Sequence, residues 1–245
     1  MLFLNNNNKT IYQHLADLKK ILLSILFLWI VLFVGCFYFS TILLNFLQSP
    51  VLPILAKYGV QNYFITTSAT EVFFSNIKQA FYFSLFIAMP FICVIVFFYI
   101  ISVLQKTEKT VAIIVLCFAP LLFLLGLYVA YAFGFSFIWN FFIGYSVNNN
   151  ITLFSSLADY LSFSLSILLA FGLSFELPVL IIVLGLLKII TPSHLIRFSR
   201  YAIVIAFIIA AIFTPPDPFS QIIMAILLIF FYFLAWFVLL LLVKK

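Results

Sequence analysis

Charge is what this chain has least of. Charged residues make up 7% of it and hydrophobic residues 67%. No water-soluble domain covers its surface with so little charge. The only two histidines, His14 and His194, lie outside the apolar runs, which excludes haem ligation within the membrane. Cys36, Cys93 and Cys117 fall in separate apolar runs, without pairing or metal-ligand spacing; they read as small hydrophobes. Paired carboxylates within the apolar runs and nucleophile motifs are missing, so the reading is not an enzyme, and no cofactor is implied. No glycine loop has the spacing that cradles phosphate, which argues against a nucleotide-driven device. The short alternating strands of a membrane barrel are absent too. No cleavable signal peptide is visible, and the first apolar run is long enough to stay as an anchor.

What the chain has is long apolar runs. About 20 apolar residues span a bilayer, and six runs are expected to do so, near 21–40, 77–102, 111–135, 157–187, 201–213 and 219–243, within one membrane domain over 1–245. Backbone polar groups in lipid must be satisfied internally, so the spans should be helices. The fifth run is short for a crossing. With both ends inside, six crossings place Lys9, Lys19, Lys20, Lys106, Lys109, Lys188, Arg197, Arg200, Lys244 and Lys245 inside, and only Lys57 and Lys78 outside. That bias is the positive-inside signal. The net charge of +6 is therefore topology and contact with membrane lipid, with no nucleic acid involved.

The loops are unequal. The outer loop 41–76 contains Gln48-Ser49-Pro50, Pro53 and Gly59, enough for a cap with a short helix at the surface. A second outer loop is expected over 140–156. The third is Thr214-Pro215-Pro216-Asp217-Pro218-Phe219-Ser220-Gln221, where proline fixes φ and removes backbone donors, so the turn is held in one shape. Before the first span, Ile11, Leu15, Leu18 and Leu22 recur at helical spacing, the pattern of a helix lying in the interface. His14 and Asp17 share a face of that helix. The bland reading is a solvated helix start, with Asp17 offsetting Lys20.

Glu176 stands inside an apolar run. A charged residue at a helix centre costs ~2.5–3.5 kcal/mol on insertion scales, so such a group faces protein or a water-filled cavity. Gly172 before it and Pro178 after it suggest a kink with exposed backbone. The plain alternative is a buried acid satisfied by Ser or Gln of neighbouring helices.

His14-Leu15-Ala16-Asp17-Leu18-Lys19, the segment 69–90, Gly126 with Tyr131, Tyr160-Leu161-Ser162-Phe163, Phe171-Gly172-Leu173-Ser174-Phe175-Glu176-Leu177-Pro178, Arg200-Tyr201 and the Thr214–Gln221 turn follow in this order. Together they resemble the TatC family, the multispanning core receptor of the twin-arginine protein translocase. The resemblance runs from about His14 to Gln221, and the Phe-Glu-x-Pro and Thr-Pro-Pro-Asp-x-x-Ser-Gln motifs are its specific parts.

The resemblance implies an all-α, glove-shaped bundle of six helices with both ends inside and short fifth and sixth helices. It implies twin-arginine signal peptides of folded cargo as ligands at the inner face, bound by Asp17 and Glu108 with His14 and Lys19 alongside. Glu176, with Phe175 and Pro178, is implied to meet small single-span partner subunits. Pro50, Thr214, Pro215, Asp217 and Gln221 form the functional outer turn region. Self-association in a larger complex and drive by a proton gradient are implied as well. The physics of the inner site agrees: two arginines offer planar donor forks that carboxylates accept bidentately, and Asp17 and Glu108 are the only acids expected on a basic face. Otherwise Glu108 pairs with Lys106 or Lys109. Asp17 stands where the family usually has Glu. The bias toward Phe, Ile, Leu and Asn favours a mitochondrial inner membrane, with a bacterial plasma membrane as the alternative. Two rival classes are a secondary transporter, which uses intramembrane acids and broken helices but usually shows a repeat, and a structural subunit of a respiratory complex.

Overall fold

A computed structural model describes residues 11–59, 64, 66, 68–103, 106–148, 156–214 and 217–243. Some helix positions, among them 11–18, 96–103 and 106–112, are described in backbone only. The chain order is α1 (Ile11–Tyr38), α2 (Ser40–Gln48), α3 (Leu52–Lys57), α4 (Ala69–Val103), α5 (Lys106–Val129), a π-helical turn (Ala130–Gly134), α6 (Phe135–Asn148), α7 (Leu157–Leu186), α8 (Pro192–Phe213) and α9 (Pro218–Val243). Among the described residues six helices are long and apolar enough to cross a membrane, so the expected all-α polytopic class holds. An even number of crossings returns the end of α9 to the side on which α1 starts.

Besides an earlier start of the second crossing, at Thr70 rather than near 77, where α4 takes in the last residues of the expected 41–76 loop, three boundaries differ from the sequence reading. The third crossing does not stop near 135 to leave an outer loop from 140: its helix continues to Asn148 through the π-helical turn. The polar residues that read as punctuation bond their own helix instead. Ser136 Oγ donates to the Ala132 carbonyl at 3.4 Å and Asn140 Nδ2 to the Ser136 carbonyl at 2.6 Å. The fifth crossing is Pro192–Phe213, 22 residues, and at ~1.5 Å per residue it is long enough to cross a bilayer. It starts earlier because Thr191 caps it, its hydroxyl accepting from the His194 N–H at 3.3 Å, with Pro192 in the first turn. Even so, α8 and α9, at 22 and 26 residues, are shorter than α4 and α7 at 35 and 30. Thirdly, the amphipathic start is not a separate surface helix, because α1 runs unbroken from Ile11 to Tyr38.

At the hub is α7, which packs on α4, α5, α8 and α9, while α1 rests mainly on α4 and α8 on α9. In a bilayer, packing comes from close approach of small residues. Ala80, Ala88, Ala119, Ala130, Ala170, Ala206, Ala210, Ala225 and Ala235 are all buried. Gly172 belongs to this set: a Cβ there would lie 2.7 Å from Phe123 Cε2. Likewise a Cβ on Gly126 would meet the Phe171 carbonyl and the Phe175 ring at 3.0 Å. Large apolar side chains such as Phe27, Phe133 and Ile212 are exposed at 72%, 65% and 73%, which suits a protein whose solvent is lipid. The long outer loop folds as expected into a cap, formed by α2 and α3.

Candidate functional site

Most of α7 is buried, and what remains half-open is one stripe along it. Ser162, Ser166, Leu169, Leu173 and Glu176 recur at three- and four-residue steps and all are partly exposed, while Leu161, Leu165, Leu168, Gly172 and Phe175 between them are buried. The hub helix thus offers one face that its neighbours cover only in part. At the inner end of that stripe stands Glu176. Its Oε1 accepts from the Cys93 thiol of α4 at 3.7 Å. A thiol is a weak donor, so the carboxyl is lightly tethered across the helix gap and keeps capacity for a stronger partner.

The other two residues expected beside Glu176 support it from within. Phe175 is 8% exposed and meets Phe231 of α9 edge-on at 4.5 Å. Pro178 is buried and lies inside the continuous α7. Having no N–H, it leaves the Ser174 carbonyl without its helical donor, and the Ser174 hydroxyl donates one turn up to the Ala170 carbonyl at 2.6 Å.

At the outer end, Thr214 closes α8, is 8% exposed, and donates from its hydroxyl to the Ala210 carbonyl at 2.9 Å. Asp217 begins α9 as a cap: its Oδ1 accepts from the Ser220 N–H at 2.7 Å, while its buried Oδ2 has no partner among the described residues. Gln221 Nε2 donates to the Phe207 carbonyl of α8 at 3.3 Å. The turn therefore fixes how α8 and α9 meet. Their inner ends are tied as well, by Tyr232 Oη to the Leu195 carbonyl at 2.7 Å and Trp236 Nε1 to the Pro192 carbonyl at 3.1 Å. Pro215 lies outside the described residues.

Pro50 sits half-buried in the turn between α2 and α3. Next to it, Ser49 Oγ is 2.6 Å from Tyr131 Oη, which donates to the Phe46 carbonyl at 2.8 Å and stacks on the Phe46 ring at 4.3 Å. The Tyr160 hydroxyl donates to the Leu47 carbonyl at 2.6 Å. The cap is thus held to the third and fourth crossings by two tyrosines.

For the inner face, the backbone places His14 and Asp17 near the start of α1 and Glu108 in the first turn of α5. Both helices pack on α4, and both starts lie at the same membrane side. Lys19 is exposed on α1. The side chains of His14, Asp17 and Glu108 lie outside the described ones. Among the described residues no group of three His, Cys, Asp or Glu could hold a metal ion.

The family model described as Sec-independent protein translocase protein (TatC) matches residues 13–226. The chain belongs to the TatC family. It is 36% identical to the Sec-independent protein translocase protein TatC of Magnetococcus marinus, covering 87% of this chain and 78% of that one. Its identity to the protein of the same name from Rickettsia prowazekii is also 36%, over 87% of this chain and 86% of the other. A crystal structure titled twin arginine translocase receptor TatC superposes with a TM-score of 0.81 at 33% identity, covering 93% of this chain and 98% of that one. The chain thus shares its fold with that receptor over nearly its whole length.

Sequence reasoning missed three features of this site. Cys93 reads as a plain hydrophobe but donates to Glu176, and the two are 83 positions apart. Tyr160 was legible as part of a motif, yet its bond to a carbonyl of the cap was not. Lys78, counted as an outer charge, reaches Ser162 Oγ at 2.7 Å.

Proposed function

We propose that this chain is the core receptor of a Sec-independent twin-arginine translocase. In this reading it binds the twin-arginine signal peptides of folded cargo at its inner face, recruits small single-span subunits, and works as one membrane domain over 1–245 within a larger self-associated complex. It supplies receptor and scaffold, with no bond-making of its own, and a proton gradient drives transport. The observation that carries the proposal is the partial exposure of Glu176 on the half-open stripe of the hub helix, in a fold shared with the twin-arginine receptor structure. An intramembrane acid belongs where a cavity or partner meets it, and this supports a partner contact at Glu176. Phe175 and Pro178 flank that position from the buried side, and Pro50, Thr214, Asp217 and Gln221 lie at the outer ends of the helices around it, with Pro215 assigned to the same turn.

The signal-peptide site is assigned to Asp17 and Glu108, flanked by His14 and Lys19. Both acids come from helices that pack on the same neighbour. A pair of carboxylates in a basic surround selects the planar forks of two arginines and repels other cations less well matched. The bias toward Phe, Ile, Leu and Asn supports residence in a mitochondrial inner membrane; the relatives are bacterial, and for them the equivalent is the plasma membrane.

Peptide binding tests the assignment. Glu108→Gln and Asp17→Asn keep shape and remove charge. Each charged hydrogen bond is worth about 1.5–3 kcal/mol, so affinity for a twin-arginine peptide should fall about tenfold or more per acid, with a smaller loss for a twin-lysine control. Unchanged affinity in both single variants and in the double variant refutes the site.

A further inference from the structure

Lys78 lies within the second crossing, Thr70–Ile95, at a depth of ~13 Å from the start of α4 by helical rise. Its neighbours one turn away on α4, Phe74 and Phe81, are exposed at 66% and 42%, so its face of the helix looks onto lipid. A cation at that depth is costly without an anion. Lys78 does not simply extend toward water. Its ammonium is held by Ser162 Oγ at 2.7 Å, and among the described residues no carboxylate pairs with it.

Ser162 is also in the wall of an open cavity of about 680 Å³ bordered by α6, α7 and the end of α8, so Lys78 reaches its edge through Ser162. Its polar lining is Ser146, Asp159, Ser162, Ser166 and Thr214. The hydroxyls of Ser146 and Ser166 make no hydrogen bond among the described residues, and donors of this kind suit phosphate oxygens. Asp159 adds a carboxylate, of which Oδ2 accepts from Ser156 Oγ at 2.7 Å. Trp139 and Phe163 supply aromatic walls, at the outer end of the bundle where amphipathic rings favour the interface.

We propose that this outer cavity binds the headgroup of an amine-bearing zwitterionic phospholipid, its phosphate on Lys78 and the serine hydroxyls and its ammonium on Asp159. A lipid supplies the anion that Lys78 lacks at the depth where Lys78 lies. A free anion would have to leave water to reach it. The acid within the same cavity selects against lipids whose headgroup carries net negative charge. The site is independent of the signal-peptide assignment.

The test is native mass spectrometry of the full chain, purified in detergent and equilibrated with equal amounts of phosphatidylethanolamine and phosphatidylglycerol of matched acyl chains. The wild type should retain one phosphatidylethanolamine with at least tenfold preference. Lys78→Gln should lower that retention at least fivefold, and Lys78→Arg should restore it. Asp159→Asn should keep a bound lipid but bring the two headgroups to near equality. Should Lys78→Gln lose the fold, the Lys78→Arg and Asp159→Asn results decide by themselves. Equal retention in wild type and Lys78→Gln overturns the proposal, as does retention of phosphate-free diacylglycerol to the same extent. So does a photoreactive group at Ile212 that captures polypeptide and no lipid.

Discussion

Removing one oxygen from Tyr160 should loosen the outer cap by a measurable amount. Tyr160 is 1% exposed and its hydroxyl donates to the carbonyl of Leu47, itself fully buried, at 2.6 Å. In Tyr160→Phe the ring keeps its packing on Phe64 and Trp139, at 4.4 and 5.2 Å. What is lost is the partner of a buried carbonyl at the end of α2, where no further helical turn supplies one. Leaving such a group unsatisfied costs about 1–3 kcal/mol. At 1.4 kcal/mol per factor of ten, the closed cap should lose about 5- to 150-fold in its opening equilibrium. Tyr131→Phe is the internal comparison. Its bond to the Phe46 carbonyl is exposed and Ser49 Oγ donates to the same carbonyl at 3.0 Å, so that carbonyl keeps a partner, and the ring stack on Phe46 remains. The cost there is the ordinary net value of ~0.5–1.5 kcal/mol. Hydrogen–deuterium exchange over 40–57 in nanodiscs reads the difference directly. Faster exchange confined to this segment, larger in Tyr160→Phe than in Tyr131→Phe, is the expected result. Equal protection in both variants and the wild type would mean that packing alone holds the cap.

Gly172→Ala places a Cβ 2.7 Å from the fully buried Phe123 ring; overpacking of this kind costs about 1–3 kcal/mol, seen as a lower thermal midpoint in detergent, with wild-type stability refuting the close approach. A cysteine at Asn45, exposed on α2, should react with an impermeant reagent added outside, while one at Arg197 should be shielded; the reverse pattern overturns the orientation. Glu176→Ala should insert and accumulate normally yet lose transport, Glu176→Gln should be milder because the amide still donates, and Cys93→Ala should be milder still because the thiol bond is weak; transport normalised to inserted protein checks this, and equal losses of protein and transport would make the acid structural.

The class of fold was legible because lipid imposes its rule on composition. Six apolar runs and a one-sided lysine count are enough to give six helices and their direction, since nothing else in lipid satisfies the backbone. Glu176 was legible for the same reason, as a residue whose cost demands an explanation. The boundaries were not. Ser136 and Asn140 look like the start of a loop, but in a helix of this kind small polar side chains bond the backbone one turn away, and the helix carries on. The short look of the fifth run came from Arg197 and Arg200, whose long side chains can reach the interface while the backbone stays helical. Contacts between distant segments were out of reach for another reason: periodicity reports which face of a helix is buried, never against what. Cys93 and Glu176, Lys78 and Ser162, and Tyr160 and the Leu47 carbonyl are each more than 80 positions apart. In a chain this poor in charge, those few polar pairs mark where the uniform grease of the sequence becomes a particular structure. All three end on α7. The helix that buries most of itself is also the one whose open stripe carries both a lysine's partner and the intramembrane acid. A single element thus determines how the outer cavity and Glu176 are spaced, and any partner that lies along that stripe meets both.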